Sequence, residues 1–426
     1  MVETGIGGLQ AAVRDLDKRR AWCNGTWSFP PQDLKLFFEH DNCVSSLLFP
    51  SATEEQLSEL ANACHPAKFG TGDVDVLDET YRKAGKMDVS NFSLNMNPER
   101  SGLVEAVKLQ LLGLDDQRDI RLEPYKLNVY GKGSFFKVHK DTPRGDKMFA
   151  SLVIVLPTLH NGGALMLSHK DESTIFDSGK MLQSNSPGVV AYVAFFSDVD
   201  HEVREVTSGH RVTITYNLYF KSTGSATTPP KDADEDPREV RLKAMLNSLL
   251  ADANFLPQGG LLGFGLRYQY PLSRNGLPDL DKMCDVLKGS DATILRTCEE
   301  LDLSTWLKIV YHVDEYHNYH VLCHAPWDEG QQFDGNAELL NELIQRYGGM
   351  VIWTDDPKYK CDAKITWISN STSNSLHVAD YVTYGNEASL GYMYGHISLI
   401  VHVGVPGSRD SPSTIEVGAD SEDSEF

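Results

Sequence analysis

Between positions 124 and 220 the chain falls into short apolar-rich runs broken by Gly, Asn, Pro and Ser: YKLNVYG, FASLVIVLP, GALMLSH, GVVAYVAFF, HEVREV and HRVTITYNLYF. Runs of this length and β-rich composition predict strands. The gaps between them leave no room for crossover helices, which favours an antiparallel sandwich or barrel over βαβ units. In the last run, alternation puts Arg211, Thr213, Thr215 and Asn217 on one face and Val212, Ile214, Tyr216 and Leu218 on the other. A polar inner face beside an apolar outer one suits a sheet wrapped round a cavity and covered by helices. The run ending at Tyr130 alternates likewise, with Lys126, Asn128 and Tyr130 opposite Tyr125, Leu127 and Val129.

Outside this block the pattern is less regular. Residues 1–120 read as a helical and mixed support region. Within it, Thr53-x-x-Gln56 before LSELANA predicts a capped helix, and GLVEAVKLQLL (102–112) a second one. The β-rich core spans 121–220. Residues 221–239 (KSTGSATTPPKDADEDPRE) are polar and proline-bearing, as expected of a linker or long loop. A helix over 240–254 opens a mixed α/β region that runs to 404. Residues 405–426 read as an acidic, solvated tail.

Composition narrows the classes. With 41% hydrophobic residues in 426 the chain can bury a core, which rules out wholesale disorder. A formal charge of −21 repels phosphate backbones, so nucleic acid and anionic membrane surfaces are not the expected partners. A small-molecule or peptide substrate fits better. The seven cysteines are scattered and form no C-x-x-C pair, which argues against a disulfide framework or a cysteine zinc site. The start, MVETGIGGLQ, carries no basic-then-apolar signal, and runs such as VVAYVAFF are too short to span a bilayer. The expected setting is intracellular, cytoplasmic or nuclear.

The chemistry concentrates in GKGSFFKVHKDTPR. On a strand, His139 and Asp141 would share one face while Lys140 points away, supplying two corners of a metal site. Two histidines and a carboxylate leave open coordination positions and suit non-haem Fe(II) oxygenases. His201, sixty residues after Asp141, is the favoured third ligand, and Arg211 follows ten residues later with Thr213 two further on. A guanidinium there matches the distal carboxylate of a bound diacid. His160 is the competing third ligand, although PTLHNGG reads as a hairpin turn. A second H-x-D, His312-Val-Asp314, reads as an ordinary strand feature, because His377, His396 and His402 have no basic residue ten positions on.

Taken together, these residues resemble the Fe(II)- and 2-oxoglutarate-dependent dioxygenases, in particular the prolyl 4-hydroxylase-like branch. The matching stretches are YKLNVYGKGSFFKVHKDT, the GGALML run and DVDHEVREVTSGHRVTITYNLY. More loosely, with AKFGTGDVDVLDETYRKAG and YGNEASLGYMYG, the whole chain is similar to fungal members of that superfamily. The resemblance implies a mixed α/β fold dominated by an antiparallel double-stranded β-helix (jelly-roll, cupin-like), with flanking helices and a C-terminal mixed extension. It implies that His139, Asp141 and His201 hold Fe(II) as the catalytic centre and that Arg211 binds the 5-carboxylate of 2-oxoglutarate. Thr213 matches the small hydroxyl residue that often follows this arginine. Tyr130 sits near the position of a co-substrate phenol, with Tyr125 or Asn128 as alternatives. With O2, the implied activity hydroxylates an unactivated C–H of a peptidyl, prolyl or amino-acid-like substrate and releases succinate and CO2. Oxidative tailoring of a natural product, or a non-catalytic barrel used as a binding module, are the rival readings.

Overall fold

The computed structural model describes residues 5–71, 74–183, 187–221, 236–270, 279–314, 316–328, 330–334, 339–384 and 388–410. Residues 20–233 form one compact unit, and residues 1–19 with 234–426 form the other. The support region expected over 1–120 is therefore divided at 19/20. Its first helix, Gly5–Leu16, packs on the helix Pro237–Ala251, within the second unit.

The unit 20–233 is built on two antiparallel sheets. In chain order their strands are β1 (Trp22–Ser28), β2 (His65–Pro66), β3 (Arg82–Lys83), β4 (Gly85–Asp88), β5 (Ile120–Tyr130), β6 (Phe135–His139), β7 (Met148–Val155), β8 (Leu165–His169), β9 (Glu172–Phe176), β10 (Val189–Phe196), β11 (Asp200–Val203) and β12 (Arg211–Phe220). The larger sheet runs β1-β10-β7-β12-β5-β4-β2 and the smaller β9-β8-β11-β6-β3. From β5 onward the chain alternates between them: β5 large, β6 small, β7 large, β8 and β9 small, β10 large, β11 small, β12 large.

The predicted runs between 124 and 220 become strands, with two differences. HEVREV is broken: β11 ends at Val203, and Val206–Gly209 pairs instead with His160–Gly162 in a two-stranded sheet. His160 thus lies in a short strand rather than a hairpin turn. Unforeseen β9 folds back on β8, with Lys170 at positive φ between His169 and Glu172, the first pair of the hairpin. The sequence there, Glu-Ser-Thr-Ile-Phe, has too few apolar positions to announce a strand.

β12 is buried on both faces, as its alternation required. Arg211, Thr213 and Asn217 face inward at 1–3% exposure, and Val212, Ile214 and Leu218 on the other face are fully buried. Two helices flank this unit where expected. Thr53 and Gln56 form a reciprocal capping box at the start of Glu54–Ala63. Leu103–Leu112 buries Leu103, Val104, Val107, Leu111 and Leu112 against β1, β5 and β10. The N-terminal stretch also supplies β1, β2 and β4 to the large sheet and β3 to the small one. These are short pieces with little alternation, which carry no strand signal in the sequence.

In the second unit an eight-stranded sheet spans Gly260 to Val403 around Leu261, Val310, Leu322, Ile352, Ile365 and Ile400. Most of the linker expected over 221–239 (222–235) lies outside the described residues, and its end, Pro237–Glu239, is already helical. The helix starts three residues before the expected 240 because Asp236 caps it and Pro237 suits its first turn. The tail beyond 410 is likewise outside the described residues, whereas Arg409 is docked on the backbone carbonyls of Leu250, Asp252, Phe255, Leu256 and Gly404. Among the described residues, no helix is long and apolar enough to cross a membrane.

Glu239 holds three pieces of this unit together. It accepts from Arg19 at 2.6 Å and from Arg296 at 2.8 Å, and Arg19 also reaches Asp236 at 2.6 Å. Removing the carboxylate takes from Arg296 its carboxylate partner in a largely buried place and leaves Arg19 with Asp236 alone. Glu239→Ala should therefore cost about 3–5 kcal/mol, read as a lower urea midpoint for the transition of this unit. An unchanged midpoint would show that the cluster contributes nothing net.

Candidate metal and co-substrate site

His139 ends β6 and stands directly opposite His201 in β11. Facing strands at matched register place both imidazoles on one face, with ring centroids 4.1 Å apart. The register slips between Phe136 and His139, so β6 carries one residue more than its partner. Without that bulge, positions three apart would point to opposite faces. With it, Phe136 and His139 share the interior face and their rings stack at 3.5 Å. Asp141 lies beyond the end of the strand, not on it, so its arrival at the site owes nothing to the strand alternation first expected.

The three side chains offer ligand atoms that all lie within 4.8 Å of one another. Among the described residues this is the only such group of three or more His, Cys, Asp or Glu. The ring Nδ1 of His139 lies 2.8 Å from the carbonyl of Lys137, and that of His201 lies 3.1 Å from the carbonyl of Val199. A carbonyl can only accept, so each Nδ1 carries a proton and Nε2 is the nitrogen left to face a metal. Ser151 Oγ donates to Asp141 Oδ2 at 2.5 Å, leaving Oδ1 turned to His201 Nε2 at 3.6 Å. Burial, and then the neighbouring His201, push His139 down to about 3, so it is neutral at pH 7. For Asp141, burial works upward, but His201, His139 and the Ser151 hydroxyl outweigh it and hold the carboxyl below its ordinary range. Two imidazole nitrogens and a carboxylate oxygen gathered in this way form a donor set that fits a ferrous ion with open positions.

Facing these donors is the large sheet. Register places Tyr130 opposite Arg211, Asn128 opposite Thr213, Thr213 opposite Val155, and Asn217 opposite Ser151, all on one face. Because Ser151 reaches Asp141, this polar face and the metal donors bound the same interior. Arg211 is 1% exposed, and its Nε and Nη2 have no hydrogen-bond partner. Burial pushes it down to about 10. A buried guanidinium with idle donors is costly unless an anion meets it. Gly163, at positive φ, makes room for it: a Cβ there would stand 2.9 Å from Arg211 Cδ. The second glycine of the GGALML run thus serves the arginine, while the first, Gly162, clears the backbone of Glu205.

The other candidates sort themselves. Tyr130 and Asn128 lie on the same face as Arg211, whereas Tyr125 sits at a register shift between Pro124 and Lys126 and is half-buried. His160 uses Nδ1 on the carbonyl of Thr158 and Nε2 on Ser178 Oγ, so neither nitrogen is left for a metal. His169 pairs with Asp198 and His210 with Glu54. His312 stacks on His320 across a hairpin of the second unit, in keeping with an ordinary strand residue. Of the YGNEAS pair Tyr384 and Glu387, the glutamate lies outside the described residues.

Sequence reasoning missed three contributors. Ser151 was visible in principle, as a polar residue inside the apolar run FASLVIVLP. Phe195, whose ring lies 4.6 Å from that of His201, was hidden in a wholly apolar strand. Arg82 sits far upstream on a two-residue strand and gave no signal.

Residues 125–219 match the 2OG-Fe(II) oxygenase superfamily. That segment runs from β5 to β12 and contains every ligand candidate and Arg211. Among solved structures, a Pseudomonas putida prolyl-4-hydroxylase is 20% identical, covering 50% of this chain and 100% of its own, with a TM-score of 0.29. A Trichoplax adhaerens prolyl hydroxylase, solved with a hypoxia inducible factor peptide fragment, is 16% identical over 50% of this chain and 90% of its own, at 0.32. AviO1 from Streptomyces viridochromogenes is 14% identical over 52% of this chain and 98% of its own, at 0.25. No curated protein matches.

Ser151 tests how far this oxygenase-like segment depends on support around the donors. Ser151→Ala removes the hydrogen bond that orients Asp141, and such partners are worth roughly ten- to hundredfold in metal affinity. Anaerobic Fe(II) titration should show that loss with the fold intact. Wild-type affinity in the variant would mean that Asp141 is held by other means.

Proposed function

We propose that this chain is an Fe(II)- and 2-oxoglutarate-dependent dioxygenase of hydroxylase type, acting on a peptidyl, prolyl or amino-acid-like C–H bond. One observation carries the reading: two histidines and an aspartate converge on one interior face, with a buried, unpaired guanidinium on the facing sheet. The alternation of the chain between two sheets from β5 to β12 supports a double-stranded β-helix as the frame.

In this reading His139, Asp141 and His201 hold the metal through Nε2, a carboxylate oxygen and Nε2. When bound, the ferrous ion with 2-oxoglutarate and O2 supplies the oxidising chemistry, which converts the keto acid to succinate and CO2 and C–H to C–OH. The protein contributes position and dryness. Arg211 grips the carboxylate of the co-substrate remote from the metal, with Thr213, Asn128 and Tyr130 beside it on the same face. Phe136, Phe195, Leu165 and Leu167, all buried, keep water from the donors. The seven cysteines are all unpaired, which supports an intracellular setting, cytoplasmic or nuclear.

Anaerobic addition of Fe(II) and then 2-oxoglutarate should give a visible metal-to-ligand charge-transfer band. Asp141→Ala should abolish both the band and succinate release. Arg211→Ala should weaken 2-oxoglutarate binding roughly ten- to hundredfold, the worth of a charge-assisted pair. Succinate release at the wild-type rate from Asp141→Ala would refute the ligand assignment. The absence of any band in the wild-type protein would favour a binding module over an enzyme.

A further inference from the structure

Arg82 belongs to β3, outside the segment that matches the superfamily, yet it reaches into the same interior. It is 8% exposed. Its Nη1 donates to the carbonyl of Lys68 at 2.8 Å and its Nη2 to Asn128 Oδ1 at 2.9 Å. The guanidinium lies 4.3 Å over the ring of Phe136, the ring that stacks on His139. Arg82 therefore bridges the small sheet to the co-substrate face of the large one, next to the metal donors.

None of its hydrogen bonds goes to an anion. Among the described residues no carboxylate stands within ion-pair distance, and Nε is buried with no partner. The anions of the site are otherwise committed. Asp141 serves the metal, one carboxylate of 2-oxoglutarate serves Arg211 and the other serves the metal. A buried cation with an idle donor is left over, a costly arrangement unless a further anion arrives. The guanidinium of Arg144 and the ammonium of Lys126 both stand over Tyr125, at 4.8 and 4.5 Å, and Arg144 follows Asp141 by three residues. Cations in these places attract an acid to a protein whose net charge is −21.

We propose that the substrate is a carboxylic acid and that Arg82 is the group that receives its carboxylate beside the carbon to be oxidised. This rests on the oxygenase reading and narrows it from a prolyl or amino-acid-like substrate to an acid. Arg82 then sets specificity. By holding Asn128 it also orients the amide that adjoins Thr213.

The test uses the full chain loaded anaerobically with Fe(II) and 2-oxoglutarate. The charge-transfer band is recorded first, so a failure of the oxygenase reading shows before any substrate is added. Binding is then measured by saturation-transfer NMR for free amino and hydroxy acids and their carboxamide twins. Acetylated, amidated tripeptides with one Asp or one Asn are run beside them, which separates a small acid from an acidic peptide. At least one acid should bind tenfold or more tightly than its amide twin. That preference should fall below threefold in Arg82→Gln and persist in Arg82→Lys. Acids and amides binding alike, no compound binding, or a preference that survives Arg82→Gln would each overturn the proposal. The wild-type ratio stands as a test by itself if Arg82→Gln does not fold.

Discussion

Between Phe136 and His139, strand β6 carries one residue more than β11, and the metal donors depend on that surplus. Side chains on a strand alternate with a period of two, so a slip of one residue reverses which face each side chain sees. The bulge applies this reversal once. It leaves Val138 at 53% exposure, buries Phe136 and turns His139 toward His201. The stacking of Phe136 on His139 follows from the turned side chain. Bulges beside working sites commonly re-aim one residue in this way.

The second constraint is the pairing of β12 with β5 and β7. Three antiparallel strands in fixed register bring Arg211, Tyr130, Thr213, Asn128, Asn217 and Ser151 to one face, although they come from well-separated stretches of chain. Ser151 then links this face to Asp141 and so ties the two sheets at the metal donors. The site is therefore assembled by register in two sheets, with Asp141 added from just beyond the end of β6. Burial follows from the same arrangement, because the polar inner face has the small sheet over it and the apolar outer side is covered. Low exposure makes Arg211 a strong partner for an anion and a costly residue without one.

Much of this was legible in the sequence, and the reasons are physical. Arg211 to Asn217 announced a polar inner face because strand periodicity is written directly in residue order. His139, Asp141, His201 and Arg211 could be grouped because their spacing matched strands returning to one cavity. The bulge could not be read, since FFKVH alternates as plausibly without it. Ordinary alternation would have put Phe136 and His139 on opposite faces, and only pairing with β11 decides otherwise. Arg82 was silent for a related reason. Its role comes from a two-residue strand at the sheet edge, placed by tertiary pairing with Phe136 and not by any local pattern. In the second unit, apolar runs were visible but their order in the sheet was not, because the other seven strands are joined through one long central strand, Ala388–Val403, and its neighbours.

The central claim is that His139 and His201, opposed across β6 and β11, bind one iron together with Asp141. X-ray absorption at the iron edge of the anaerobic Fe(II)-loaded protein tests it most directly. The account predicts stoichiometric iron with two imidazole ligands in the wild-type protein and one in His201→Ala. A spectrum unchanged by His201→Ala, or one without imidazole scattering, would contradict it.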